Sequence, residues 1–294
     1  MSYIDKLRNS AEECGNIVCM GLDPIPAVLP EARGGIREIL NSYFSELFRR
    51  MRMEGVSPAA FKPNIGYWVA LDVPREEDFS GSLALVDVFE MLETFFPGIP
   101  VILDSKRGDI ARSSGNYAVE AFDCWEADAV TVSPYMGHDS VLPFAYEDKG
   151  VYVLDRTSNP GAIDFQEESV IDKIDEKEIY HLYYAVAHRI IAWAGTYPGI
   201  GAVVGATSPD ELETIAKLFA GKDIPMLIPG VGSQGGSAEE VISRLEKAGY
   251  DKALARINSS SSLTHPWKKS PAPDDWLDMC MHAIRKLISE ASVK

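Results

Sequence analysis

ILDSKRGDIARSS, residues 102–114, is the stretch on which the reading of the fold turns. Apolar residues enter it (Val101, Ile102, Leu103) and charges leave it (Asp104, Lys106, Arg107, Asp109). A short continuous apolar run reads as a strand buried on both faces, as in a parallel sheet. Asp104 and Lys106 are two apart, so a regular strand points both side chains to one face. Burying opposite charges costs several kcal/mol per ion unless partners solvate them. A D-x-K pair alone is most often a structural salt bridge. A second lysine changes that reading: Lys62 ends another apolar run, AAFKPNI at 59–65. Side by side, the two strand ends give the order Lys62, Asp104, Lys106, Asp109. Alternating signs keep each carboxylate ionised and each ammonium protonated.

Runs like it recur along the chain: Asn16–Asp23, Ala59–Ile65, Pro100–Lys106, Ala129–Pro134, Gly150–Arg156, Ile200–Ala206, Ile224–Gly230 and Lys252–Ser259. Between them lie stretches of helical periodicity, at Arg37–Met53, Ser82–Phe96, Glu178–Ala194, Pro209–Ala220, Ser237–Ala248 and Asp274–Ala291. Eight strand-then-helix units favour one α/β domain over residues 1–294, a closed (β/α)8 TIM barrel; an open doubly wound sheet is the runner-up. Barrel active sites lie at strand C-terminal ends. The polar residues there are Asp23, Lys62, Asn64, Asp104, Lys106, Ser133, Arg156, Ser158, Thr207, Gln234, Asn258 and Ser259. The longest irregular stretch, about Thr157–Asp175, reads as a lid.

Composition narrows the function classes. The chain has 294 residues and a formal charge of −16, which disfavours nucleic acid and anionic membrane surfaces as partners. A small phosphorylated ligand stays possible, because local amides bind phosphate against a global field. The cysteines (Cys14, Cys19, Cys124, Cys280) form no CxxC pair and no zinc spacing, which suits reduced thiols in a cytoplasmic protein. The N-terminus reads as a polar amphipathic helix rather than a signal peptide, and no run reaches membrane-span length. His181 and His188 read as structural, His138 as a rim residue, and Trp267 and Trp276 as packing.

The set GLDP (21–24), FKPN (61–64), DSKRGDI (104–110), TVSPYMGHDS (131–140), RTSNPG (156–161), GAVVGAT (201–207), PGVGSQGG (229–236) and NSS (258–260) resembles the orotidine 5′-phosphate decarboxylase family, in its longer bacterial-type branch. The resemblance implies a carboxy-lyase that needs no metal or cofactor. It would convert orotidine 5′-monophosphate to uridine 5′-monophosphate, the last step of de novo pyrimidine biosynthesis. It also implies residue roles. Lys106 protonates the ring carbon that loses CO2, Asp104 faces the substrate carboxylate, and Lys62 and Asp23 contact ribose hydroxyls. Asp109 reaches into the partner's site of a homodimer, and Arg107 is a candidate interface residue. Ser158 contacts the pyrimidine. Ile110 and Ser113 join the substrate contacts, Ser113 where the family usually has threonine. Gln234, Gly235 and the amides of the glycine-rich turn grip phosphate, a common use of the position after the seventh strand.

One departure concerns phosphate. The family's N-S-S-R arginine is replaced, the run here being Asn258-Ser259-Ser260-Ser261-Ser262. Either Ser260, Ser261 and helix-end amides hold the phosphate, or Arg256 or Lys268 substitutes, or the chain is attenuated. Two other functions remain in play. A Mg-dependent sugar-phosphate sister barrel shares DxKxxD, but Lys62 stands where such a site needs an acid. A non-catalytic nucleotide-binding barrel would have lost turnover with the arginine.

Overall fold

The computed structural model describes residues 1–31, 33–171, 179–232 and 234–293. Eight parallel strands form its sheet: β1 (Val18–Leu22), β2 (Ala60–Pro63), β3 (Ile102–Arg107), β4 (Ala129–Val132), β5 (Gly150–Arg156), β6 (Ile200–Val204), β7 (Met226–Pro229) and β8 (Ala255–Ser259). Their order around the sheet is β2-β1-β8-β7-β6-β5-β4-β3. Parallel bridges Phe61–Val101 and Asn64–Asp104 join β2 to β3 and close the ring. The open-sheet alternative is thereby set aside, and each expected strand lies within two residues of an observed one or overlaps it. Strands β1, β2, β4, β6 and β8 are buried throughout, which is why they carry no alternation of polar and apolar residues.

Helices Ile36–Met53, Ser80–Phe95, Ala111–Val119, Leu182–Ala194, Pro209–Phe219, Ala238–Lys247 and Trp276–Glu290 follow β1, β2, β3, β5, β6, β7 and β8, and all but Ala111–Val119 pack an apolar stripe on the barrel wall. The N-terminal helix Tyr3–Cys14 covers the opposite, N-terminal end of the strands. Tyr3 Oη donates to Tyr152 Oη at 3.0 Å, and Arg256 Nη2 donates to Leu7 O and Ser10 Oγ, each at 2.6 Å.

Three expectations are corrected. Residues 157–171 are not wholly irregular: a 3₁₀ turn spans Pro160–Asp164, and Ser169–Ile171 pairs with Ile179–His181 as an antiparallel hairpin. The remainder of that expected loop, from 172 to Asp175, lies outside the described residues. So does Glu178, the expected start of a helix that begins at Leu182. Arg256 is fully buried beneath the N-terminal helix, at the far end from the rim, so it holds no ligand there. Finally, β3 is not a regular strand. Its register against β4 shifts between Leu103 and Arg107, and Lys106 has φ +47°. A bulge of this kind re-aims a side chain.

Candidate active site at the strand C-terminal rim

A cavity of about 590 Å³ opens at the C-terminal ends of the strands. Its charged floor is built where β2 meets β3. Lys62 Nζ lies 2.6 Å from Asp104 Oδ2, and Lys106 Nζ lies 2.5 Å from Asp104 Oδ1. Thr131, on β4, donates its hydroxyl to Asp104 Oδ1 at 2.8 Å and accepts the Lys106 backbone N–H at 3.0 Å. That bond fixes the bulge, so Thr131 positions both the carboxylate and the backbone that carries the second ammonium. Nothing in its sequence context, AVTV, sets it apart from an ordinary strand threonine.

Electrostatics follow from this packing. The Asp104 side chain is 6% exposed and that of Lys62 5%, whereas that of Lys106 is 49% exposed. Burial works against ionisation of Asp104, but Lys62 and Lys106 overcome it and hold the carboxyl well below its usual range. Burial likewise works against the Lys62 ammonium, and Asp104 and Asp23 outweigh it, so its pKa rises. The result is a fixed anion between two cations, one sealed in and one facing the cavity.

Asp23, Ser158, Gln234, Ser260 and Ser261 line the same cavity, as expected. So do Asn258, Ser259, His265 and Tyr67. His265 sits one helical turn after Ser261, its backbone N–H donating to Ser261 O at 2.9 Å. Burial lowers its pKa against the opposing charge of Asp23. It was not expected, because the four-residue helix Ser261–Thr264 that delivers it leaves no periodic trace.

Other expected site residues fall elsewhere. Asp109 does not join the other three. Its Oδ1 accepts the Ile110 N–H at 2.7 Å, and it stands on a loop outside the cavity. Ile110 and Ser113, at the start of the following helix, are outside as well. Gly235 turns its N–H to Gly232 O at 3.1 Å. Lys268 is exposed and outside the cavity. Arg156 serves the wall, not the ligand: it pairs with Glu211 and, at 2.6 Å, with Glu167. Arg107 pairs with Glu120 at 2.8 Å and lies over the Tyr117 ring.

Glycines let the rim close up. A Cβ on Gly21 would sit 1.8 Å from Ser260 Oγ. Gly230, at φ +102°, turns the chain out of β7. Among the described residues no group of three or more His, Cys, Asp or Glu is placed to hold a metal. No helix among them is long and apolar enough to cross a membrane.

A closed parallel barrel whose cavity is floored by an ammonium–carboxylate–ammonium cluster defines a class of (β/α)8 enzyme fold. Comparison with known proteins narrows the class. The profile of the Orotidine 5'-phosphate decarboxylase / HUMPS family matches residues 77–257, and the chain belongs to that family. It is 38% identical over 266 residues, 90% of each chain, to an orotidine 5'-phosphate decarboxylase of Cupriavidus metallidurans. It also resembles the solved structure of Leishmania donovani OMP decarboxylase, with TM-score 0.74 and 30% identity over 99% of both chains. Against Leishmania donovani UMP synthase the TM-score is 0.75 at 32% identity; 99% of this chain is covered, and it spans 57% of that longer one.

Proposed function

We propose that the chain decarboxylates orotidine 5′-monophosphate to uridine 5′-monophosphate, a step of pyrimidine biosynthesis. The observation that carries the reading is the Lys106 ammonium, half-exposed to the cavity and 2.5 Å from a buried, ionised Asp104. Cleavage of the bond between the ring carbon and the carboxylate releases CO2 and leaves the electron pair on that carbon. A fixed ammonium stabilises that pair as it develops, and its proton then forms the new C–H bond. Lys106 regains a proton from water. Lys62 and Thr131 keep Asp104 charged and in place, so Lys106 stays aimed. Asp23 accepts hydrogen bonds from sugar hydroxyls. Ser158 meets the pyrimidine side, and Gln234, Ser260, Ser261 and the amides near Gly230 receive the phosphate.

The working unit in this reading is a homodimer in the cytoplasm. Asp109 completes the array of the partner's site, with Ile110 and Ser113 beside it. Support comes from exposed apolar residues on the segments that follow β3 and β4: Ile110 is 58% exposed, Tyr135 85% and Met136 43%. Exposed apolar side chains of that kind suit a protein partner. The unpaired cysteines suit a reducing compartment.

The test is a spectrophotometric assay with orotidine 5′-monophosphate in the presence of EDTA. Turnover that survives the chelator supports this reading. Activity lost to EDTA and restored by Mg2+ favours a metal-dependent sister reaction. Binding of uridine 5′-monophosphate without CO2 release favours a non-catalytic barrel.

A further inference from the structure

We propose that Gln166 is a positioning residue that holds Ser158 in the cavity wall, an inference whose kinetic arm rests on the decarboxylase reading. Ser158 is seated from below on two glycines: a Cβ on Gly205 would meet its Cα, Cβ and N at 2.9 Å, and one on Gly230 its Cβ at 3.2 Å. From the side, Thr207 Oγ1 donates to Ser158 O at 3.2 Å. Gln166 closes the seat from above. Its Oε1 accepts the Thr157 N–H and its Nε2 donates to Thr157 Oγ1, both at 2.8 Å. Thr157 Oγ1 in turn donates to Asn159 Oδ1 at 2.7 Å. Both neighbours of Ser158 are therefore tied, directly or through one hydroxyl, to a single amide that itself lines the cavity.

Gln166 is well anchored for this task. Its N–H donates to Ala162 O at 2.8 Å, and its carbonyl accepts the Tyr183 N–H at 3.0 Å. The next residue, Glu167, pairs with Arg156 at 2.6 Å. The side chains of residues 166 and 167 thus hold residues 157 and 156 respectively, and Ser158 is the next position along. A side chain that only stapled the loop would need one bond to Thr157. A two-point grip with matched donor and acceptor fixes the direction in which the following residue leaves.

The experiment uses Gln166→Met, Ser158→Ala, the double variant and Gln166→Glu, each checked for an unchanged melting temperature. Hydrogen exchange reads the seat itself. The Thr157 amide exchanges faster in Gln166→Met than in the parent; an unchanged rate overturns the proposal. Kinetics read its use. Gln166→Met and Ser158→Ala each lower kcat/KM about 10- to 100-fold, the scale of a misplaced contact, and the double variant is no worse than the poorer single one. Gln166→Glu, which keeps an acceptor for the Thr157 N–H, recovers part of the loss. Additive losses would mean that Gln166 acts on its own, and would overturn the proposal. A parent chain without turnover sinks the decarboxylase reading instead, and the exchange result then decides this one.

Discussion

Lys62 and Lys106 hold the two oxygens of one carboxylate, yet they live in different surroundings. Lys62 is sealed between β2 and β3, and its removal leaves a buried Asp104 with one cation fewer. Breaking a buried pair from one side typically costs about 3–5 kcal/mol. The Lys106 side chain is half in solvent, and exposed pairs contribute about 0–1 kcal/mol. Lys62→Ala should therefore lower the denaturation midpoint far more than Lys106→Ala. The effect on turnover does not follow stability: Lys106→Ala folds and loses at least about 10²- to 10⁴-fold in kcat, the usual worth of a placed proton donor. Full turnover in Lys106→Ala would refute its role. Ser261 raises a second question at this scale, since it lines the cavity just past β8 while that strand's Arg256 is turned away beneath the N-terminal helix. Ser261→Arg should lower KM for the nucleotide by roughly 10- to 100-fold, the equivalent of about 1.5–3 kcal/mol for a charge-assisted contact. An unchanged KM would show that another group already grips the phosphate.

Strand β5 carries a different kind of charge. Asp155 follows Leu154, which lines the cavity, but is not itself among the lining residues. It is fully buried, and neither carboxylate oxygen has a hydrogen-bond partner. Burial raises its pKa well above the ordinary value, and Arg156 only partly opposes that. The native state then keeps a proton that an unfolded carboxyl gives up above about pH 4. Folding binds protons, so stability falls as pH climbs from about 4 through the raised native pKa. Asp155→Asn is neutral throughout. Its unfolding free energy should match the parent near pH 4 and exceed it increasingly towards pH 8, by about 1–3 kcal/mol at the top of the range. A difference that does not grow with pH would show that Asp155 is ionised in the fold.

Elements also decide what was legible beforehand. All eight strands could be read, because strands buried on both faces leave unbroken apolar runs. The helix Ala111–Val119 could not: ARSSGNYAV has no apolar stripe, and it continues into a π turn at Glu120–Cys124. Ile65–Val69, His138–Val141 and Ser261–Thr264 are too short to show a period. Three of the four array residues were legible as strand-end charges. The bulge that aims Lys106 was not, because it depends on a hydroxyl from β4. Ser158 was legible and its clamp was not, since the Gln166–Thr157 bonds depend on how the loop folds back.

At the scale of the molecule, the separation of Asp109 from Lys62, Asp104 and Lys106 is the feature that one chain leaves open. If the partner's Asp109 completes each site, activity becomes a property of pairs. Lys106→Ala chains keep a sound Asp109, and Asp109→Ala chains keep a sound Lys106. In a mixed dimer one site collects both lesions and the other collects neither. Equal amounts of the two inactive variants, unfolded and refolded together, should thus recover roughly a quarter of parental activity, since half of random pairs are mixed and each has one intact site. Two chains of charge −16 repel, so the recovered activity should hold to lower protein concentration as salt is added and that repulsion is screened. A mixture no more active than its components, or a monomer with full turnover at any concentration, would place Asp109 outside the chemistry and leave the array at three residues.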